Sequence, residues 1–276
     1  MDRKTFLQIS GFLFASPLLN TILAADRESA DIKTMEKFKF PMMDLHVHRS
    51  KDLTIENIVA KSKELNIKIG VIENIAPWGI TCDTQLKEYI DSIKPYPFYI
   101  GLQPMSPGWS KKLSPDLIAQ ADYITMDPQI VEKGNGYGET VLLWEYDAYI
   151  DDSEIFMERN MQHYINILTN NEPLDIFACP FFLPSCIQRE YNILWTKKRL
   201  QQIIDAARSR DIAIEINDTA HVPHEEFILM AKKAGLKFAF GSDSRNHTVG
   251  RLDYCKRIAQ RCHLTEKDFF VPKRYR

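Results

Sequence analysis

Apolar positions along this chain follow two alternating rhythms. Short runs at 43–48, 68–73, 98–103 and 122–127 have strand character, and 174–179, 211–217 and 237–241 continue the series. Between them the apolar residues recur at helical spacing. The first such stretch is led by Thr54 and carries Ile55, Ile58, Val59 and Leu65. Further helices are predicted over 84–93, 114–121, 153–170 and 196–210, and one after each of the last two strands. The strands are apolar enough to be buried on both faces, as in a parallel sheet covered by helices. Seven β-then-α units predict a single α/β domain of barrel type over residues 41–276. One excursion, 128–152, breaks the rhythm after the fourth strand. It holds Gly134, Gly136 and Gly138 with the aromatic residues Tyr137, Trp144, Tyr146 and Tyr149.

Composition narrows the function classes. The 276 residues include 35 Lys and Arg against 37 Asp and Glu, a net charge of −2. The lack of a basic excess argues against a dedicated nucleic-acid binder, because its affinity rests on neutralising phosphates. The five cysteines, Cys82, Cys179, Cys186, Cys255 and Cys262, are odd in number and unpatterned, so neither a disulfide framework nor a zinc finger is expected.

Residues 1–25 read as a cleaved export signal. Arg3 and Lys4 precede an apolar run broken by Pro17 and Asn20, and Ala24-Ala25 offers a small-residue cleavage site. The order Arg3-Lys4-Thr5-Phe6-Leu7 is similar to a twin-arginine signal with Lys in the second basic position. The run is too short to span a bilayer, which needs about 20 apolar residues. A buried N-terminal helix is the other reading. With 26–40 as a linker, a periplasmic protein with no membrane span is expected.

In such a barrel, chemistry gathers at the C-terminal ends of the strands. His46, His48, Glu73, Gln103, Asp127, Cys179, Glu215 and Asp243 all fall there. His46 and His48 are two apart on a strand and share a face. Two imidazoles at a barrel mouth suit a borderline divalent cation, zinc or manganese; hydrogen bonding to loops is the alternative. Asp243, closing the seventh strand, is positioned to join them, or else to cap the following helix.

The opening Asp44-Leu45-His46-Val47-His48 and the closing Gly241-Ser242-Asp243-Ser244 resemble the motifs of the PHP (polymerase and histidinol phosphatase) superfamily. The likeness runs over about residues 41–262. It implies a distorted (β/α)7 TIM-like barrel, with His46, His48 and Asp243 at metal-ligand positions and phosphoester cleavage at a cluster of ions. This chain departs from the pattern at Asn74, Gln103, Cys179 and Arg245, each standing where the family has a ligand. A guanidinium cannot ligate a cation and repels one nearby. One ion on His46, His48 and Asp243 is therefore expected, with Glu73, Asp127 and Glu215 as further candidate ligands.

Losing ligands weakens the case for phosphoester cleavage, which uses several metals to neutralise charge. Arg245 beside one Lewis acid suits a substrate carboxylate instead. The favoured expectation is a lyase eliminating water from a uronic acid residue of an acidic oligosaccharide. Arg245 would bind the carboxylate, with His247 and Tyr137 as candidate acids or bases; His163, in a helix, is a weaker candidate. Two alternatives stay open: a metal-dependent phosphoesterase acting on another small anionic substrate, and a non-catalytic carbohydrate-binding relic.

Overall fold

A computed structural model describes residues 38–132 and 139–273. The expected export signal, most of the linker and Tyr137 lie outside these residues. The described chain forms a single α/β domain around seven parallel strands in sequential order. They are β1 (Met43–His48), β2 (Lys68–Ile75), β3 (Tyr99–Pro104), β4 (Tyr123–Met126), β7 (Ile176–Phe177), β8 (Ala213–Asn217) and β9 (Phe238–Gly241). Strands β5 (Ile130–Glu132) and β6 (Thr140–Leu142) form a separate antiparallel hairpin inside the 128–152 excursion, which apolar periodicity does not reveal.

The sheet almost closes on itself. Between β1 and β9 the closure is one parallel bridge, Val47 to Ser244, with His48 N donating to Ser244 O at 3.0 Å and Ser244 N to His46 O at 3.3 Å. Asp44 reinforces the seam. Its buried carboxylate accepts from Ser242 N at 2.9 Å, Gly250 N at 2.9 Å and His46 N at 3.3 Å. This is the distorted (β/α)7 barrel that the family resemblance implied.

Helices α1 (Ile55–Glu64), α2 (Asp83–Ile93), α3 (Pro115–Ile118), α4 (Ser153–Thr169), α5 (Tyr191–Leu194), α6 (Lys197–Arg208), α7 (Glu225–Lys233) and α8 (Asp253–Arg261) complete the units. Starts follow local chemistry. Thr54 caps α1 by accepting from Asn57 N, Asp152 caps α4 and Thr196 caps α6. The helix expected over 114–121 shrinks to α3. After Ala119 the bonds tighten to i→i−3, and Asp122 then pairs with Ile100 to enter β4. Strand β7 stops early because Cys179 takes a left-handed φ of 36° ahead of Pro180.

The barrel interior is filled by Met43, Leu45, Ile72, Tyr99, Tyr123, Ile176, Ala213 and Ala239. Tyr123 crosses it and donates to Leu45 O at 2.7 Å. Gly101 makes room: a Cβ there would stand 2.5 Å from Tyr123 Cζ. No helix among the described residues is long and apolar enough to cross a membrane, and all five cysteines are free.

Candidate metal centre

The site is built on the end of β1. Leu45 belongs to the interior cluster, yet its neighbour His46 also reaches inward, to Glu215 on β8. Plain strand alternation would put these two side chains on opposite faces. An irregularity in the β1–β2 pairing between Asp44 and Val47 accommodates both, as bulges beside functional sites do. The buried His46 and His48 then face the mouth together, their ring centroids 5.3 Å apart.

Asp243 meets them from the opposite side of the seam. Its Oδ1 lies 3.3 Å from His46 Nε2 and 3.8 Å from His48 Nε2. One ligand atom from each of the three residues falls within 4.8 Å of the others, and they are the only such histidine, cysteine or carboxylate group among the described residues. Asp243 holds a left-handed φ of 52°, which aspartate tolerates better than most residues with a side chain, next to the Ser244 bridge to β1.

Electrostatics separate the two imidazoles. Burial would lower His46, but the Glu215 and Asp243 carboxylates override it and hold the ring well above the usual histidine range. His48 goes the other way: burial, then the charges of His46 and Arg245, keep it well below that range. Asp243 is depressed despite burial by His46, Arg245 and His48.

These residues fit a divalent cation. His48 Nε2 is buried with no hydrogen-bond partner, a costly vacancy for a polar atom unless something ligates it. His46 Nδ1 is 2.6 Å from Glu215 Oε1, which leaves Nε2 as the ligand atom; a carboxylate behind a ligating imidazole is the usual support. A cation would displace the second proton that the carboxylates hold on His46.

Glu215 therefore stands behind His46. Its Oε2 accepts from Cys179 N and, at 3.3 Å, from Asn217 Nδ2. Gly241 is required beneath this pair: a Cβ there would collide with Glu215 Oε1 and come within 2.6 Å of His46 Cβ. Gln103 on β3 places its amide 3.0 Å from His46 Nε2. The Cys179 thiol is buried, and burial raises its pKa well above the ordinary value.

The other candidates are dispersed. Asp127, just past β4, is buried near the site, and its oxygens accept from Gln129 N at 2.9 Å and Gln129 Nε2 at 3.2 Å. Burial and then the Asp243 charge push it up to about 7, against the opposing pull of His46. Glu73 is not brought to the ligand set. It alternates with the interior Ile72 and lies 3.9 Å from Arg49, whose guanidinium sits over the Tyr89 ring. Arg245 Nη1 donates to Asp243 Oδ1 at 2.5 Å. His247 is exposed, with no hydrogen bond among the described residues. His163 lies away from the three ligands, its Nε2 donating to Pro128 O at 3.2 Å.

Two contributors lie within the quoted motifs, but their roles do not show there. Asp44 was legible only as part of the opening motif, although an acid in an apolar strand is itself a signal of a buried hydrogen-bonding role. Gly241 gives no signal without the third dimension.

No family model matches this sequence, and none of the curated proteins does either. Among solved structures, histidinol phosphate phosphatase from Lactococcus lactis subsp. lactis Il1403, complexed with zinc, L-histidinol and phosphate, is similar in fold. The TM-score is 0.58 at 15% sequence identity, covering 83% of this chain and 96% of that one. The likeness carries the PHP-type barrel. It also corrects the order of the chemical expectations, since the same architecture there supports a phosphatase, a hydrolase, and the lyase reading gives way.

Proposed function

We propose that this protein is a metal-dependent phosphoesterase that hydrolyses a small phosphate monoester. The observation that carries the reading is the convergence of His46, His48 and Asp243 at the barrel mouth, with Glu215 fixing the tautomer and orientation of His46. The zinc and phosphate held by the structural neighbour favour this chemistry for a site on the same barrel. A bound divalent ion, zinc before manganese, supplies a Lewis acid that neutralises phosphoryl charge and acidifies water.

The chain's own residues do the rest. His46, His48 and Asp243 hold the cation, and Glu215, through Nδ1, keeps His46 from turning away. Asp127, with a proton affinity near neutrality, is suited to give a proton to the departing ester oxygen as water adds to phosphorus. Residues 1–25 lead us to place the mature enzyme in the periplasm; N-terminal sequencing of exported protein should begin at or near Asp26.

The test of the reaction is release of inorganic phosphate from a panel of phosphate monoesters by zinc- or manganese-loaded protein. Turnover is expected with the loaded wild type and a loss of at least about 100-fold in His46→Ala, the scale of a lost electrostatic element. No release from any ester by fully loaded protein would overturn the reading.

A further inference from the structure

We infer that Arg245 is the fixed second positive charge of this centre: its guanidinium, anchored on Asp243, binds the phosphoryl oxygens, and the centre takes a single ion. The inference rests on the phosphoesterase reading and adds a residue and an ion count to it.

The guanidinium is built into the site. Arg245 Nη1 donates to Asp243 Oδ1 at 2.5 Å and to Asp243 O at 3.3 Å. The same Oδ1 faces both imidazoles. An ionised carboxylate has lone pairs enough to serve a cation and a guanidinium together.

The backbone is pinned on both sides. Ser244 bridges to β1, and Ser50 Oγ donates to Arg245 O at 2.7 Å. Thus the side chain springs from a fixed point of the barrel seam. Its remaining N–H groups have no hydrogen-bond partner among the described residues, and the side chain is 51% exposed, open to the mouth. A planar fork of that kind, half engaged by a carboxylate and half open, matches the oxygens of a phosphate.

The surrounding ligand supply argues for one ion. Gln103 and Cys179 offer no carboxylate or imidazole, Glu215 is committed to His46 and two further donors, and Glu73 faces away. A second cation would share Asp243 with a permanent positive charge and find only Asp127 besides, whose oxygens already accept from Gln129 N and Nε2, whereas a phosphate would be drawn to it.

The experiment uses the full chain loaded with zinc, with inorganic phosphate as the probe. Native mass spectrometry should give one ion per chain in the wild type and in Arg245→Gln. In calorimetry, Arg245→Gln should bind phosphate at least about tenfold more weakly, while binding zinc as tightly as the wild type or tighter, because a repelling charge has gone. Arg245→Lys, a point charge without the fork, should fall between. A merely structural role would weaken both ligands together.

Unchanged phosphate affinity in Arg245→Gln, or two or more zinc ions in the wild type, would overturn the inference. If phosphate binds through Arg245 but no ester is hydrolysed, the phosphoesterase reading fails and the anion site stands. If esters are hydrolysed and Arg245→Gln binds phosphate normally, only the anion site fails.

Discussion

Asp127 shows how much one side chain's surroundings decide. Buried past the end of β4, it accepts two hydrogen bonds from Gln129, while Gln129 Oε1 is left buried without a partner. Rotating that amide would let Oε1 accept a proton carried by Asp127, so the pair is ready for either protonation state. The folded protein holds this proton up to about pH 7, whereas an unfolded aspartate loses it near pH 4. Stability from this group is therefore present below the unfolded value and is lost as pH rises to about 7.

Asp127→Asn removes that slope. The melting temperature of the ion-free variant, measured relative to ion-free wild type, should rise between pH 5 and pH 8. A difference that is flat with pH would contradict the assignment. At this scale the sequence told which residues sit at strand ends, but not which way they point. Glu73 and Asp127 look alike on the page, yet one pairs with Arg49 outside the barrel and the other is buried beside Asp243.

Among the elements, the β1–β9 seam matters most, since it carries all three candidate ligands. One backbone bridge is little to hold a barrel closed, and the Asp44 carboxylate supplies three more acceptor contacts across or along it. Asp44→Asn would turn an amide NH2 toward either Ser242 N–H or Gly250 N–H. Leaving such a buried donor unsatisfied costs about 1–3 kcal/mol. Urea denaturation should show that loss, and zinc affinity should fall with it because Ser242 and Asp243 are no longer held to β1. Unaltered stability would mean the seam is closed by packing alone.

All seven barrel strands were legible from apolar runs, because burial on both faces leaves a strong pattern. What was not legible depends on irregular geometry: the hairpin β5–β6, the single turn of α3, and the pairing irregularity that turns both Leu45 and His46 inward. A strict period of two predicts His46 and His48 on one face correctly and misplaces Leu45.

For the molecule as a whole, the binding of a cation and the stability of the fold are linked. The ligand set is already assembled, with a buried and unpartnered His48 Nε2, so an ion that binds only the folded chain stabilises it by about 2.7 kcal/mol at a hundredfold excess over its Kd. Zinc should accordingly raise the melting temperature by several degrees at neutral pH. The gain should shrink toward acid pH as protons compete for His46.

The measurement that bears most directly on the centre is calorimetric titration of zinc into chelator-treated wild type, His46→Ala, His48→Ala and Asp243→Ala. Saturable uptake by the wild type and loss of at least about tenfold in affinity in each variant is the predicted result. Wild type that takes up no zinc and no manganese, or variants that bind as the wild type does, would contradict a metal centre at these three residues.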